Sequence, residues 1–139
     1  MGLANILRHI IKGLILLPSK RVRNLWRFLF FSALIFFTFL FLVPAPLLPD
    51  NALLNWWDKA QHALVFAVLM LLGGIVYPKK LILVLLTLIL YGAMIEVLQG
   101  FTSWRNGDLL DWYADAVGAL LAWAILIFLS KSTSRYSQS

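Results

Sequence analysis

Residues 28–43 read FLFFSALIFFTFLFLV, an apolar run without a charged side chain. Three further uncharged runs follow it, at residues 63–77, 81–95 and 116–129. With its flanking residues, each run reaches the roughly 20 residues that an α-helix needs to cross about 30 Å of hydrocarbon. The sequence therefore predicts an all-α membrane protein, a bundle of four transmembrane helices. The predicted spans cover about residues 26–43, 57–77, 80–100 and 108–129.

Composition supports this interpretation. The chain has 139 residues, of which 62% are hydrophobic and 13% are charged, and its mean hydropathy is +0.87. A soluble protein of this composition would expose too much apolar surface. The net charge of +6 comes from basic residues beside the spans, which indicates contacts with anionic lipid and not with nucleic acid. Cysteine is absent, so disulfides, thiolate nucleophiles and cysteine-ligated zinc are excluded.

The charges sort to opposite sides of the predicted membrane. Ten of the twelve basic residues flank the runs on one side: Arg8, Lys12, Lys20, Arg21, Arg23, Arg27, Lys79, Lys80, Lys131 and Arg135. All six acids fall on the other side with Lys59 and Arg105: Asp50, Asp58, Glu96, Asp108, Asp111 and Asp115. Because basic loops stay in the cytoplasm, both termini are predicted to be cytoplasmic.

The two terminal segments receive separate interpretations. Residues 1–25 combine apolar positions at helical spacing with a basic face, which favours an amphipathic helix lying on the inner leaflet. A cleaved signal peptide is disfavoured because the uninterrupted apolar stretch, residues 14–17, is too short. A frayed tail is the remaining alternative. The serine-rich residues 131–139 are predicted to form a disordered cytoplasmic tail.

Polar side chains gather near the outer ends of the last three spans. Asp58 and His62 are four residues apart and share a helix face, and Asp111 and Asp115 do the same. An ionisable group facing lipid costs about 2.5–3.5 kcal/mol at the bilayer centre and less towards its edge, so these side chains should turn inward. The sequence predicts an outward-facing charged pocket. Its predicted ligand-binding residues are Asp58, Lys59, His62, Glu96, Gln99, Arg105, Asp108, Asp111 and Asp115.

Several of these residues also have structural explanations. Asp58, and either Asp108 or Asp111, lie at helix N-termini, where carboxylates cap free N–H groups. Lys59 could simply extend to the interface, and His62 could be a hydrogen-bonded histidine of the bundle. Glu96 is different, because the dipole at the C-terminal end of its helix disfavours an anion. It needs a partner or a proton.

The order of these residues resembles a known family. The pattern is Asp58, Lys59 and His62 on one helix, Glu96 and Gln99 on the next, Arg105 in a loop, and Asp111, Asp115 and Gly118 leading into the last helix. It is similar to the VanZ-like family of small bacterial membrane proteins over roughly residues 57–123. Position 115 is Asp where the pattern of the member that names the family favours Asn. The resemblance implies the bacterial inner membrane, a link to the cell envelope and an effect on susceptibility to the glycopeptide teicoplanin. It implies no catalytic assignment.

Three functional hypotheses remain. In the first, the pocket binds an anionic lipid-linked envelope precursor or an envelope protein without chemistry. In the second, a membrane enzyme acts on a phosphate-containing precursor, with Glu96, His62 and Asp115 as catalytic candidates and Lys59 and Arg105 as phosphate ligands. No nucleophile motif and no phosphate-binding glycine loop supports that hypothesis. In the third, the polar residues only staple the bundle together.

A metal-binding site is a further alternative. Asp58, His62, Glu96 and Asp115 offer mostly oxygen ligands, which suit Mg²⁺, Ca²⁺ or Mn²⁺ better than zinc. A single histidine without a ligand-spacing signature is weak support, so the sequence predicts neither a metal nor a cofactor. The expected partners are the lipid bilayer and the envelope component in the pocket.

Overall fold

The computed structural model describes residues 19–44, 52–103 and 107–135, with the backbone alone at 52–58 and 131–135. Within these ranges the chain is helical and contains no strand. The helices are α1 (Lys20–Leu42), α2 (Ala52–Val76), α3 (Leu81–Gly100) and α4 (Leu109–Arg135), with a 3₁₀ turn at Pro78–Lys80. All four contain a stretch long and apolar enough to cross a membrane. The all-helical architecture with four long apolar helices is therefore confirmed.

Capping and proline residues set the helix ends. Helix α1 begins after Ser19, whose Oγ accepts a hydrogen bond from the Val22 N–H at 3.4 Å. It ends at Leu42, just before Pro44, because a proline disfavours helical backbone in the residue that precedes it. Pro78 likewise follows the end of α2 and occupies the first turn of the 3₁₀ segment.

Parts of the predicted terminal and loop segments lie outside the described residues. This applies to residues 1–18 of the predicted interfacial helix, to residues 45–51 of the first outer loop and to residues 136–139 of the tail. Residues 20–25, assigned to the interfacial segment from the sequence, form the first turns of α1.

Side-chain contacts show that successive helices run in opposite directions. The ends of α1 and α3 meet where Gln99 Nε2 donates to the Phe41 carbonyl at 3.0 Å. The start of α1 meets the end of α2, where the rings of Phe30 and Tyr77 are 6.4 Å apart. The carboxylates of Glu96, Asp108, Asp111 and Asp115 therefore lie at one end of the bundle, which we call the carboxylate end. Lys79 and Lys80 lie at the opposite, basic end with the start of α1.

The bundle is apolar both inside and outside. Its core contains Phe66, Leu69 and Leu88, all essentially inaccessible. Large apolar side chains also cover the outer surface, including Phe39 and Phe128, which are 75% and 72% exposed. Helices that are hydrophobic all round are typical of proteins surrounded by lipid.

Helices α2 and α4 approach each other closely at Gly118. A Cβ atom added to Gly118 would overlap the backbone carbonyl of Ala63. Glycine is therefore required at this position by the approach of the two backbones, as is common where helices pack without a hydrophobic driving force. His62 adjoins Ala63, and Asp115 precedes Gly118 by one turn, so this approach also sets the distance between the two polar side chains.

We expect Gly118→Ala to destabilise the bundle, although alanine is the better helix former. The added methyl must push α2 and α4 apart, and overpacking of this kind typically costs about 1–3 kcal/mol. Gly100→Ala is the matched control, because a Cβ there meets no atom within 4 Å. Thermal unfolding of both variants in one detergent tests this, and equal melting temperatures would contradict the close approach.

Candidate functional site

Six side chains from three helices form a polar cluster at the carboxylate end: Lys59, His62, Glu96, Asp108, Asp111 and Asp115. The cluster runs from solvent into the interior. Lys59 and Asp108 are 48% and 42% exposed at their side chains, whereas those of His62 and Asp115 are 1% and 0% exposed. The cluster is therefore accessible at one edge and sealed at its base.

The base of the cluster is a buried histidine–aspartate pair between α2 and α4. His62 Nδ1 lies 2.9 Å from Asp115 Oδ1, within hydrogen-bond distance. The ring of Phe41, from α1, stacks on the imidazole with a centroid distance of 4.4 Å. With Asp115 ionised, Nδ1 is the donor, and in the neutral imidazole the other ring nitrogen then carries the lone pair. That nitrogen, Nε2, lies on the side of Asp111, 4.0 Å from its Oδ2.

The accessible edge of the cluster is formed by a lysine between two carboxylates. Lys59 Nζ donates to Asp111 Oδ1 at 2.8 Å and to Asp108 Oδ2 at 3.0 Å. Asp111 thus contacts Lys59 through one oxygen and faces His62 with the other. The aspartate links the exposed edge to the buried base.

Glu96 occupies the position that the helix dipole of α3 disfavours, and the structure supplies its partner. Glu96 Oε2 accepts the backbone N–H of Asp108 at 2.7 Å, immediately before α4 begins. The carboxylate therefore lies beside the N-terminal end of α4, where an anion is favoured. Its second oxygen, Oε1, is buried and has no hydrogen-bond partner among the described residues.

Asp108 caps α4 as well as pairing with Lys59. Its Oδ1 accepts the Leu110 N–H at 2.8 Å, the bond expected of an N-cap residue. This bond, together with the ammonium group of Lys59, holds the pKa of Asp108 below its ordinary value. Asp108 therefore stays ionised at neutral pH, and the cap and ion pair weaken as the pH falls through its lowered pKa. The capping explanation predicted from the sequence is observed at this residue.

Two buried oxygens in the cluster have no hydrogen-bond partner among the described residues. Asp115 Oδ2, like Glu96 Oε1, has none among the described residues. A Cβ on Gly92 would lie 2.9 Å from this aspartate oxygen, so the absence of a side chain at position 92 makes room for it. Buried polar atoms in folded proteins are usually hydrogen-bonded, and each exception calls for a physical explanation.

Three residues of the cluster could share one metal ion. His62, Glu96 and Asp111 are all buried, and one ligand atom from each lies within 4.8 Å of the other two. The candidate ligands from the sequence were Asp58, His62, Glu96 and Asp115. The structure has Asp111 in place of Asp115, and the side chain of Asp58 lies outside the described residues. Asp115 instead lies behind the imidazole, on the opposite ring nitrogen.

The structure joins six of the nine residues predicted to bind a ligand. Of the others, Gln99 is buried and bonds the carbonyl of Phe41, so that it ties α3 to α1. Arg105 and the side chain of Asp58 lie outside the described residues.

Two elements of the site are not evident from the sequence. Phe41 belongs to a phenylalanine-rich run, in which nothing marks the ring that covers His62. The backbone N–H of Asp108 is the partner of Glu96, and a backbone group has no residue signature. For the surroundings of Glu96 the sequence offers one signal. Gly92 and Glu96 are four residues apart, which places both on the same, inner face of α3.

Comparisons with known protein families, with curated proteins and with solved structures found no match to this chain.

The buried and exposed ionic contacts should differ in strength. We expect a double-mutant cycle of His62→Ala and Asp115→Ala to give a coupling free energy of about 0.5–3 kcal/mol. The same cycle with Lys59→Ala and Asp108→Ala should give a smaller value that decreases with added salt, because both groups are exposed. Unfolding of the purified protein in mixed detergent micelles measures both. A larger coupling free energy for Lys59 and Asp108 than for His62 and Asp115 would contradict the assignment of the His62–Asp115 pair to the buried end of the cluster.

Proposed function

We propose that this chain is a VanZ-like multi-pass protein of the bacterial inner membrane, and that its polar cluster binds an envelope component. In this proposal both termini are cytoplasmic and the carboxylate end faces outward. The segregation of acids and bases between the two ends of the bundle supports this orientation. Binding of the component would underlie an effect on susceptibility to teicoplanin.

The binding proposal rests on two buried oxygens, Glu96 Oε1 and Asp115 Oδ2, that have no hydrogen-bond partner in the part of the chain that the structure describes. If the cluster only stabilised the bundle, its buried polar atoms should be paired with one another, because an unpaired buried acceptor typically costs about 1–3 kcal/mol. The cluster leaves acceptors available where lipid cannot satisfy them. Ionisable residues at such positions inside a membrane usually mark a functional site.

The charge of the cluster limits what can bind there. Four carboxylates face one lysine and one histidine among the described side chains. An anionic headgroup needs a positive group besides Lys59, which already contacts two carboxylates. Arg105 or a bound cation would provide that charge. The proposed ligand, a phosphate-containing, lipid-linked component, therefore requires that its charge be balanced at the mouth of the cluster.

One observation favours a second candidate, a membrane enzyme acting on the phosphate of such a precursor. A histidine bonded to a buried carboxylate is an arrangement used in general acid–base catalysis, because the carboxylate orients the ring and stabilises its protonated form. His62 and Asp115 have this relation. Release of phosphate from a lipid-linked pyrophosphate by purified protein, abolished in His62→Gln, would distinguish catalysis from binding.

The proposed topology predicts which positions are accessible from outside. Since the chain has no cysteine, single cysteines at Ser103 and Ser134 report on the two ends of the bundle. A membrane-impermeant thiol reagent should label position 103 in intact cells with a permeabilised outer membrane. It should label position 134 only after the inner membrane is broken. Labelling of position 134 in intact cells would overturn the orientation.

The binding proposal predicts that Glu96→Gln removes function while the bundle remains folded. The substitution keeps the size of the side chain and an acceptor for the Asp108 N–H but removes the charge. Teicoplanin susceptibility of cells that produce the variant should match that of cells without the protein. The melting temperature should stay close to that of the wild type, because one oxygen of the lost carboxylate has no hydrogen-bond partner among the described residues.

Tyr91→Phe is the matched control for loss of a polar group in the bundle. The Tyr91 hydroxyl is fully partnered within the protein, by Thr38 at 2.7 Å and the Leu34 carbonyl at 3.1 Å. Its removal should lower the melting temperature with little effect on susceptibility per folded molecule. If the cluster only stabilises the bundle, Glu96→Gln should lower the free energy of unfolding by about 3–5 kcal/mol, and activity should follow the amount of folded protein. That outcome would refute the binding proposal.

A further inference from the structure

We infer that His62, Glu96 and Asp111 form a binding site for one divalent transition-metal ion. The inference rests on the proposed binding function and specifies how that site holds its ligand. One ligand atom of each residue lies within 4.8 Å of the other two. Atoms that each lie about 2.1 Å from a common ion are at most about 4.2 Å apart, so small side-chain rotations complete the site.

In each of the three residues one atom is held by the protein, and the other nitrogen or oxygen is the proposed ligand atom. Asp115 holds His62 at Nδ1, and the backbone N–H of Asp108 holds Glu96 at Oε2. Lys59 holds Asp111 at Oδ1. This arrangement fixes the orientation of the ligands before an ion arrives, as supporting hydrogen bonds do in known metal sites.

A second observation, independent of the grouping, points to a ligand. Glu96 is 8% exposed, and its Oε1 is buried without a hydrogen-bond partner among the described residues. A metal ion would satisfy this oxygen, and its charge would offset those of Glu96, Asp111 and Asp115. Their burial would otherwise carry a large desolvation cost.

The histidine–carboxylate contact favours one class of ion. A ligating histidine almost always donates its other ring N–H to a carboxylate, as the geometry of His62 and Asp115 allows. One imidazole nitrogen with two carboxylates suits Mn²⁺ better than Mg²⁺ or Ca²⁺, because Mn²⁺ accepts an imidazole as well as the oxygen ligands that the other two ions prefer. Three protein ligands leave coordination positions open. Phosphate oxygens of an envelope component could occupy them, and the ion would then supply the positive charge that such a ligand needs.

Mn²⁺ binding to the purified, tag-free protein tests the inference. After treatment with a chelator, titration with Mn²⁺ followed by electron paramagnetic resonance should show one ion bound per chain. Glu96→Gln and Asp111→Asn should each weaken binding by at least about tenfold, and Asp115→Asn by about 10–100-fold through the orientation of His62. Tyr91→Phe, whose hydroxyl lies between α1 and α3, should bind as the wild type does. Zn²⁺ should compete with Mn²⁺ for the site.

Thermal melts of the same samples separate lost ligands from lost fold. A variant that melts as the wild type does and fails to bind Mn²⁺ supports the site. The absence of stoichiometric binding, or equal binding by wild type, Glu96→Gln and Asp111→Asn, overturns it. If the metal inference fails while Glu96→Gln still abolishes the cellular effect in folded protein, the binding function stands without a metal. If Mn²⁺ binds as expected and the cellular effect is unchanged in Glu96→Gln, the metal site stands and the proposed function fails.

Discussion

The contact between His62 and Asp115 is the interaction on which the carboxylate end of this bundle depends. Both side chains are buried between apolar helices, where an ionised group without a partner is costly. They can meet because Gly118 lets α4 approach the backbone of α2 at Ala63. A larger residue at position 118 would widen the gap and separate the pair. Tight packing and buried polarity are therefore consequences of one close approach.

The other side chains of the cluster lie between the His62–Asp115 contact and the accessible edge. Once Asp115 holds one side of the imidazole, the other side lies towards Asp111, and Asp111 in turn reaches Lys59 at the accessible edge. Glu96 joins from α3 because the start of α4 offers it a backbone N–H. Side chains held in this way from three helices are better suited to bind than side chains on loops, since helix packing fixes their relative positions. The same anchoring serves the proposed envelope ligand and the proposed ion.

The excess of carboxylates in the cluster affects both the proposed envelope ligand and the proposed ion. A cluster with more carboxylates than basic groups is unfavourable in a low-dielectric interior and repels an anionic headgroup. Lys59 reduces this imbalance only at the exposed edge, because its ammonium group lies between Asp108 and Asp111. A divalent ion at the buried side would balance the interior and attract phosphate. The site would then be assembled in steps, with the ion first and the headgroup second.

The sequence alone determined the four long apolar helices and the sorting of charge between the two ends. These properties depend on local composition and on the length that a helix needs. It also identified Lys59, His62, Glu96, Asp108, Asp111 and Asp115 as neighbours, because helical spacing places them near the same end. Only the tertiary structure decided their partners. The close approach at Gly118 sets which faces of α2 and α4 meet and places Asp115 against Nδ1 of His62, whereas Asp111 lies near both His62 and Glu96.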